Sequence, residues 1–140
     1  MTTDDARTAV LAFWGEKAAE ALQSAQSEFA AGRLAFAVNR SYYPCFYSVS
    51  ALLLKDGRKF VKHSGVRSAL HRHLVKTGEV STAWGRFYDR ICETRQRGDY
   101  QELVSFEPEQ VAEIIEQARE FVAEMVRLIL KENRGQPAGV

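Results

Sequence analysis

Hydrophobic residues recur at spacings of three and four along most of the chain, which is the pattern of amphipathic helices. The first stripe predicts a helix from about Asp4 to Ala31, ended by Gly32. A second helix, from about Arg33 to Lys55, is apolar over most of its circumference. We therefore expect it to lie centrally, with neighbours on several sides.

Three more helices follow after the break "KDGRKF". They are predicted from Ser64 to Lys76, from Ser81 to about Arg97, and from Pro108 onwards, where a near-heptad stripe begins. No segment alternates polar and apolar residues as a strand would. The sequence predicts an all-α fold, a helical bundle comprising residues 1–132, with residues 133–140 as a flexible tail.

Composition favours a single compact domain, because the chain has 140 residues and 46% hydrophobic content. No window approaches the roughly 18 uncharged apolar residues of a membrane span, and the acidic start "MTTDDARTAV" is unlike a signal peptide. We expect a cytoplasmic protein without membrane contact. Cys45 and Cys92 match no disulfide framework or CxxC pair and are predicted to be reduced core thiols.

Charge is distributed unevenly although the net charge is only +1. Residues 33–97 hold 13 Lys or Arg and 4 Asp or Glu, a balance of +9, whereas the two ends hold 6 and 14, a balance of −8. A basic block of this kind suggests a surface for an anionic partner, nucleic acid first among candidates. Alternatively, acidic terminal helices pair with basic central ones; both can hold at once.

The stretch "VNRSYYPCFYS" places unusual side chains in the apolar second helix. Asn39, Tyr43 and Tyr47 are spaced by four and share one face, with Arg40 beside them. Pro44 lacks an N–H, so a kink that leaves a backbone carbonyl free is expected there. The rings alone could fill the core. Burying Asn39 and Arg40 would be costly, so the stretch predicts either a binding cleft or a closed polar network.

The fourth helix also interrupts its apolar face with a polar residue. Arg95 continues the stripe of Trp84, Tyr88 and Ile91, so it points inward or into an interface, where its guanidinium needs an acceptor. Candidate acceptors are Asp99, in the following "RGDY", and the carbonyl freed in the second helix. We therefore expect Arg95 and Asp99 to lie close to Asn39, Arg40 and Tyr43. Arg86 and Arg90 fall on a separate stripe, which we interpret as a solvated face.

Three motifs together resemble those of a known family. A Tyr-Tyr-x-x-Phe-Tyr helix after "AVNRS", then "KHSGV" and "RQRGDY", occur in the order found in the small stand-alone HEPN proteins of bacteria and archaea. The resemblance covers roughly residues 8–130. It implies an antiparallel bundle of four to five helices, usually a homodimer. Many members are ribonucleases of toxin–antitoxin and defence systems, often paired with a small nucleotidyltransferase antitoxin.

The resemblance is incomplete at the catalytic motif. Catalytic members carry an Arg followed four to six residues later by a His, and cleave RNA without a metal. Arg95 matches the Arg, but "QRGDYQEL" follows, and Asp99 and Tyr100 stand where the His would be. A His near neutral pH can serve as both base and acid, whereas a carboxylate with a pKa near 4 is a poor acid at pH 7. The motif therefore leaves catalysis open.

The candidate residues divide into two sets. Arg95, Asp99 and Tyr100 are the candidate catalytic residues. The candidate nucleic-acid or nucleotide-binding residues are Asn39, Arg40, Tyr43, Tyr47, His63, Arg86 and Arg90.

Histidines elsewhere offer weaker signals. Arg67 and His73 match Arg-x5-His literally, but six helical residues turn the two side chains about 120° apart. Arg67 and His71 share a face, which is a common coincidence. His63, His71 and His73 have no carboxylate or thiol at ligand spacing, so we expect no metal site and no cofactor.

Two classes of function stay open. One is a toxin-like HEPN protein that cleaves or binds RNA. The other is a non-enzymatic module that binds a nucleotide or a partner nucleotidyltransferase. The missing His favours the second, while the basic block favours a nucleic-acid ligand.

Overall fold

The computed structural model describes residues 3–60, 62–98 and 105–131, and over these ranges the chain is a bundle of five α-helices. The helices are α1 (Thr3–Ala30), α2 (Leu34–Lys55), α3 (His63–Ala69), α4 (Thr82–Gly98) and α5 (Pro108–Leu130). The all-α prediction is confirmed, with helix ends within one residue of the predicted ones, apart from the C-terminal end of the third. Asp99, Tyr100 and the predicted tail 133–140 lie outside the described residues.

The turn between α1 and α2 is built on Gly32, as its sequence position predicts. Gly32 adopts a φ of +78°, which costs a residue with a side chain more than it costs glycine. The backbone N–H of Arg33 donates to the carbonyl of Glu28, closing the end of α1. The reversal lets α1 and α2 pack along each other as an antiparallel pair.

α2 occupies the centre of the bundle, and its sequence explains why. It contacts α1, α3, α4 and α5, and its buried residues include Val38, Cys45, Val49 and Leu52. The buried hydroxyls of Ser41 and Ser48 donate to carbonyls of their own helix, so they cost little to bury. The central position predicted from its all-round hydrophobicity is confirmed.

Pro44 lies inside α2 and does not end it, because the helix runs unbroken to Lys55.

The C-terminal end of α2 binds the C-terminal end of α5. The Lys55 ammonium donates to the carbonyl oxygens of Leu128 and Lys131 at the C-terminus of α5. A cation at this position satisfies carbonyls that have no partner within their own helix.

The third helix differs from the regular helix predicted from Ser64 to Lys76. After α3 the chain continues as a π-helical segment, Leu70–Val75, in which the N–H of Lys76 donates to the carbonyl of His71, five residues earlier. Hydrophobic periodicity cannot show a single widened turn.

The two cysteines are buried and free, as predicted. Burial raises the pKa of the Cys45 thiol well above its ordinary value, and burial raises that of Cys92 to about 11. Both are therefore protonated, unreactive core thiols at neutral pH. None of the helices in the described part of the chain is long and apolar enough to cross a membrane.

Candidate functional site

Four side chains from three helices meet at one side of α2, and we call them the Tyr–His–Arg cluster: Tyr42 and Tyr43 of α2, His63 of α3 and Arg95 of α4. Arg95 is the charged member. Its guanidinium carbon lies 4.8 Å from the ring centroid of Tyr42 and 5.3 Å from that of Tyr43. Its Nη2 donates a hydrogen bond of 3.2 Å to the Tyr43 hydroxyl. The prediction that Arg95 points inward is confirmed.

The partner of Arg95 agrees with part of what was expected. Among the described residues its hydrogen bond goes to the Tyr43 hydroxyl, which was expected to lie close to it, and not to a carbonyl freed by Pro44. A guanidinium stacks well on aromatic faces, and two rings in contact outcompete a backbone carbonyl inside an unbroken helix. Asp99 and Tyr100, the other expected neighbours, lie outside the described residues.

Arg95 keeps unused hydrogen-bonding capacity. Within residues 3–60, 62–98 and 105–131, its Nε is buried and has no hydrogen-bond partner. The ring contacts are to neutral groups, so they do not neutralise the guanidinium. A cation held in place by rings can bind an anion with little loss of side-chain entropy.

His63 is the second ionisable member of the cluster. Its ring stacks on Phe46 at a centroid distance of 4.1 Å, and its Nδ1 lies 2.9 Å from the Tyr42 hydroxyl. The residue is nonetheless exposed. Burial of part of the ring, and then the charge of Arg95, lower the pKa of His63 from 6.5. His63 is therefore a largely neutral imidazole at pH 7.

Tyr42 contacts both ionisable members of the cluster, Arg95 and His63. Its ring contacts both the Arg95 guanidinium and the His63 imidazole, at 4.8 Å and 5.7 Å from its centroid. Burial raises the pKa of Tyr42 to about 12, so its hydroxyl stays protonated. The side chain of Tyr88, on α4 beside it, is fully buried, with its ring centroid 6.3 Å from that of Tyr42.

Asn39, Arg40, Tyr43 and Tyr47 line a groove between α1 and α2, as their shared face predicts. The groove has a volume of about 540 Å³, and α1 contributes its other wall: Lys17, Glu20, Ala21 and Ser24. Tyr43 belongs to both the groove and the Tyr–His–Arg cluster, so the two adjoin. Tyr43 makes the contact with Arg95, whereas Asn39 and Arg40 line the neighbouring groove.

Arg86 and Arg90 lie exposed on α4, as predicted. Arg90 also borders a second groove, about 380 Å³, between α4 and α5. Both arginines are on a different face of α4 from Arg95, since nine and five residues separate them from it. The structure therefore does not bring these two residues into the Tyr–His–Arg cluster.

One polar cluster was missed by sequence reasoning. The Asp89 carboxylate accepts hydrogen bonds from Arg67 Nε at 2.8 Å and lies 2.9 Å from His71 Nε2, and Arg67 also pairs with Glu93. We call it the α3–α4 clasp. Residues 71 and 89 come together because the π-helical segment packs on α4 at Gly85, where a Cβ would lie 3.2 Å from His71 Cε1. The sequence signals for it were the shared helix face of Arg67 and His71 and a glycine, Gly85, inside a helix.

The ion pairs of the described residues bear on the two interpretations of the charge distribution. The pairs of Arg67 lie within the basic block, and those of Arg119 and Arg127 are internal to α5. Arg33 pairs with Glu28 across the α1–α2 turn. The ion pairs named here do not include Arg86 or Arg90, which are exposed. In the described ranges no group of three or more His, Cys, Asp or Glu side chains is placed to hold a metal ion.

Comparisons with known proteins agree with this architecture. The profile of the HEPN domain matches residues 11–129. A UPF0332 protein of Thermotoga maritima is 47% identical over an alignment covering 86% of this chain and 91% of that protein. A protein of Methanocaldococcus jannaschii named "Putative toxin MJ0142" is 27% identical, with 84% and 80% covered. A second from that organism, "Putative toxin MJ0605", is 32% identical, with 69% and 70% covered. The profile match spans most of the helical bundle, and the chain belongs to the HEPN domain family.

Proposed function

We propose that this chain is a toxin-like HEPN protein that acts on RNA, and that it binds RNA at the Tyr–His–Arg cluster and the adjoining α1–α2 groove. The proposal rests first on Arg95. Its guanidinium lies against two tyrosine rings, donates one hydrogen bond to the Tyr43 hydroxyl, and is neutralised by neither ring. This arrangement suits a phosphate, which accepts hydrogen bonds from an arginine fork.

The groove supplies contacts for the rest of a nucleotide. Asn39 offers amide donors and acceptors, Arg40 and Lys17 add positive charge, and Tyr43 and Tyr47 offer aromatic faces. A base stacked on an aromatic ring gains roughly 1–3 kcal/mol without regard to its identity. A volume of about 540 Å³ is within the usual range for small-ligand sites.

The names of two relatives add support for a toxin. The two proteins of Methanocaldococcus jannaschii carry that word in their names, and this chain covers 80% and 70% of them. The basic block supports an anionic target, because Arg86 and Arg90 are exposed. Together these features favour RNA over a neutral ligand.

RNA binding by the purified protein tests the proposal. Fluorescence anisotropy with a labelled single-stranded RNA should show binding at 50 mM salt that weakens steeply towards 200 mM, because each phosphate contact releases counterions. Arg95→Ala should weaken binding at least tenfold, and Arg119→Ala, which removes an exposed arginine from α5, should not. No binding at 50 mM salt would contradict the proposal.

A cellular assay tests the toxin-like part. Induced expression of the chain should arrest bacterial growth, and Arg95→Ala should restore growth at equal protein level. Growth unaffected by the unmodified chain, with soluble protein present, would argue for the alternative, a module that binds a nucleotide or a partner nucleotidyltransferase. The size of the α1–α2 groove, about 540 Å³, is the observation that favours that alternative.

The proposal includes a homodimer, which the resemblance implies. α2 supplies one exposed apolar side chain for it, Phe36, although α1, α3, α4 and α5 pack against this helix within one chain. Phe13, Phe36 and Phe60 are exposed by 50%, 52% and 37%, and a dimer would need such side chains for its interface. Light scattering that gives a monomer at tens of micromolar would contradict this part.

A further inference from the structure

The α4 motif supplies an arginine without the histidine that RNA cleavage needs. After Arg95 the next five residues are Gln, Arg, Gly, Asp and Tyr. Cleavage by the 2′-hydroxyl of RNA requires a group that accepts its proton near neutral pH, and imidazole does this best. A protein of this family without such a group beside Arg95 would bind RNA and leave it intact.

The fold brings an imidazole to Arg95 from a different helix. His63 begins α3, 32 positions before Arg95 in the chain, and both side chains contact the same two rings. The His63 ring centroid lies 5.7 Å from that of Tyr42 and 6.0 Å from that of Tyr43. The Arg95 guanidinium lies within 5.3 Å of both ring centroids. The two functional groups therefore belong to one cluster, in which the Arg95 charge acts on His63.

The environment of His63 fixes the ring and leaves one nitrogen open. Stacking on Phe46 at 4.1 Å holds the plane, and the Tyr42 hydroxyl at 2.9 Å occupies Nδ1. The residue is exposed, and among the described residues Nε2 has no hydrogen-bond partner. A histidine oriented through one nitrogen, with the other available, is the arrangement of a general base.

We infer that His63 is the proton-accepting residue of an RNA-cleaving site and takes the place of the histidine missing after Arg95. The inference rests on the proposed function, because it assumes that RNA binds at the Tyr–His–Arg cluster. It assigns to His63 a role in bond cleavage, beyond contact with the RNA.

The reaction needs no reactant other than RNA and solvent water, and His63 passes protons between them. His63 Nε2 accepts the proton of a 2′-hydroxyl, and the 2′-oxygen forms a bond to the adjacent phosphorus. Arg95 stabilises the negative charge on the non-bridging oxygens. The bond from phosphorus to the 5′-oxygen breaks, the 5′-oxygen takes a proton from solvent, and the imidazolium returns its proton to solvent. The products are a 2′,3′-cyclic phosphate and a 5′-hydroxyl.

Tyr42 is a positioning residue in this scheme. If the Tyr42 oxygen accepts from Nδ1–H, the lone pair of the neutral imidazole lies on Nε2, where the substrate can reach it. Phenylalanine in its place would keep the ring contacts with Arg95 and His63 and lose the hydroxyl. Loss of one such hydrogen bond is worth about tenfold in rate.

The test compares binding and cleavage in the same variants, with EDTA present and with product ends analysed. For His63→Gln we expect kcat to fall by about 100- to 10,000-fold, with RNA affinity changed less than threefold. For Tyr42→Phe we expect kcat to fall about tenfold at an unchanged KM. His63→Ala should regain part of its rate in added imidazole, which a structural role would not produce. His73→Ala is the control, since His73 lies outside the cluster.

Each outcome separates this inference from the proposed function. If the unmodified protein binds RNA without cleaving it, or if His63→Gln cleaves as fast, the inference is overturned and RNA binding stands. If His63→Gln loses affinity as well as rate at an unchanged melting temperature, His63 is a binding residue and the inference is also overturned. If the unmodified protein does not bind RNA, both fail. Cleavage at full affinity, lost in His63→Gln and restored by imidazole in His63→Ala, supports it.

Discussion

The Nη2 of Arg95 donates a hydrogen bond to the Tyr43 hydroxyl at 3.2 Å, and this contact joins α4 to α2 across 52 positions of the chain. The partner is neutral. An arginine held by a carboxylate in a closed network would leave an unpaired buried charge when removed. Loss of Arg95 orphans only a hydroxyl and two ring faces among the described residues. An open site and a closed polar network therefore predict different costs in stability for removing Arg95.

We predict that Arg95→Ala weakens RNA binding at least tenfold at a small cost in stability. Loss of one hydrogen bond and of the stacking on two rings should lower the free energy of unfolding by about 1–2 kcal/mol. A closed network would lose about 3–5 kcal/mol. Urea denaturation followed by circular dichroism distinguishes the two values.

Tyr43→Phe serves as the matched control, because it removes the same hydrogen bond and keeps the charge. It should cost about 1 kcal/mol of stability and leave most of the RNA affinity. A loss of stability in the larger range for Arg95→Ala, with RNA binding unchanged, would show that the cluster only fixes the packing of the helices.

The exposed arginines of α4 provide a test of the basic block. We predict that Arg86→Glu with Arg90→Glu weakens RNA binding at least tenfold without unfolding the protein, because both side chains are exposed. The slope of log affinity against log salt should become shallower by about 0.7 for each phosphate of a single strand that the variant no longer neutralises.

The control for that prediction carries the same change of charge elsewhere. Arg119→Glu with Arg127→Glu alters two exposed arginines of α5, outside the basic block. Equal losses of affinity in the two double variants would mean that net charge alone governs binding. In that case the basic block would not be a specific surface.

The helices could be predicted from the sequence because hydrophobic residues recur at helical spacing. The central place of α2 could be predicted because this helix is apolar over most of its circumference. The inward direction of Arg95 followed from the same reasoning, since it stands on the stripe of Tyr88 and Ile91. Its proximity to Tyr43 was also predicted, but the choice of the tyrosine rings and hydroxyl over a backbone carbonyl was not. Whether a guanidinium meets a carbonyl or a ring depends on distances between helices, which periodicity within one helix does not determine.

The α3–α4 clasp shows a second limit. Arg67 and His71 share a helix face in the sequence, but their partner Asp89 is 18 residues beyond His71. The contact also depends on the π-helical segment, which changes the angular position of each following residue. His63 was a candidate for binding, yet its proximity to Arg95 depends on the path of the chain between α2 and α3. Contacts of this kind appear only when the helices are assembled.

Gly85 tests the packing of the π-helical segment. An added Cβ would lie 3.0 Å from Val75 Cγ2 and 3.2 Å from His71 Cε1, and His71 is tied to Asp89. Alanine favours a helix over glycine by about 1 kcal/mol, but crowding costs about 1–3 kcal/mol. We predict that Gly85→Ala lowers the free energy of unfolding by about 1 kcal/mol, from the balance of these terms.

Gly15→Ala is the control, because Gly15 lies in α1 with nothing within 4 Å of the added Cβ. This variant should be stabilised by about 0.5–1 kcal/mol. Thermal melts of the two variants measure the difference directly. If Gly85→Ala is stabilised as much as Gly15→Ala, the π-helical segment moves aside without an energetic cost, and the α3–α4 clasp does not fix its position.

The pH dependence of His63 follows from its surroundings. Partial burial and the positive charge of Arg95 on α4 lower its pKa from 6.5, while the hydroxyls of Tyr42 and Tyr43 on α2 are neutral neighbours. In an NMR titration of the free protein, the His63 Cε1 proton should therefore show a midpoint below 6.5. The signal is assigned by its loss in His63→Gln. In Arg95→Ala the midpoint should move up towards 6.5, because the repelling charge is gone.

The same shift predicts the acid limb of RNA cleavage and the sign of its effect on stability. The neutral form of His63 persists below pH 6.5, so the fall of kcat/KM on acidification should have its midpoint below 6.5 and coincide with the NMR midpoint. Between the lowered pKa and 6.5 the unfolded chain binds the proton more readily, so stability present above pH 6.5 is lost as the pH falls through this window. A midpoint above 6.5 in the unmodified protein would contradict the lowered pKa, and a midpoint that does not move in Arg95→Ala would show that the Arg95 charge does not act on His63.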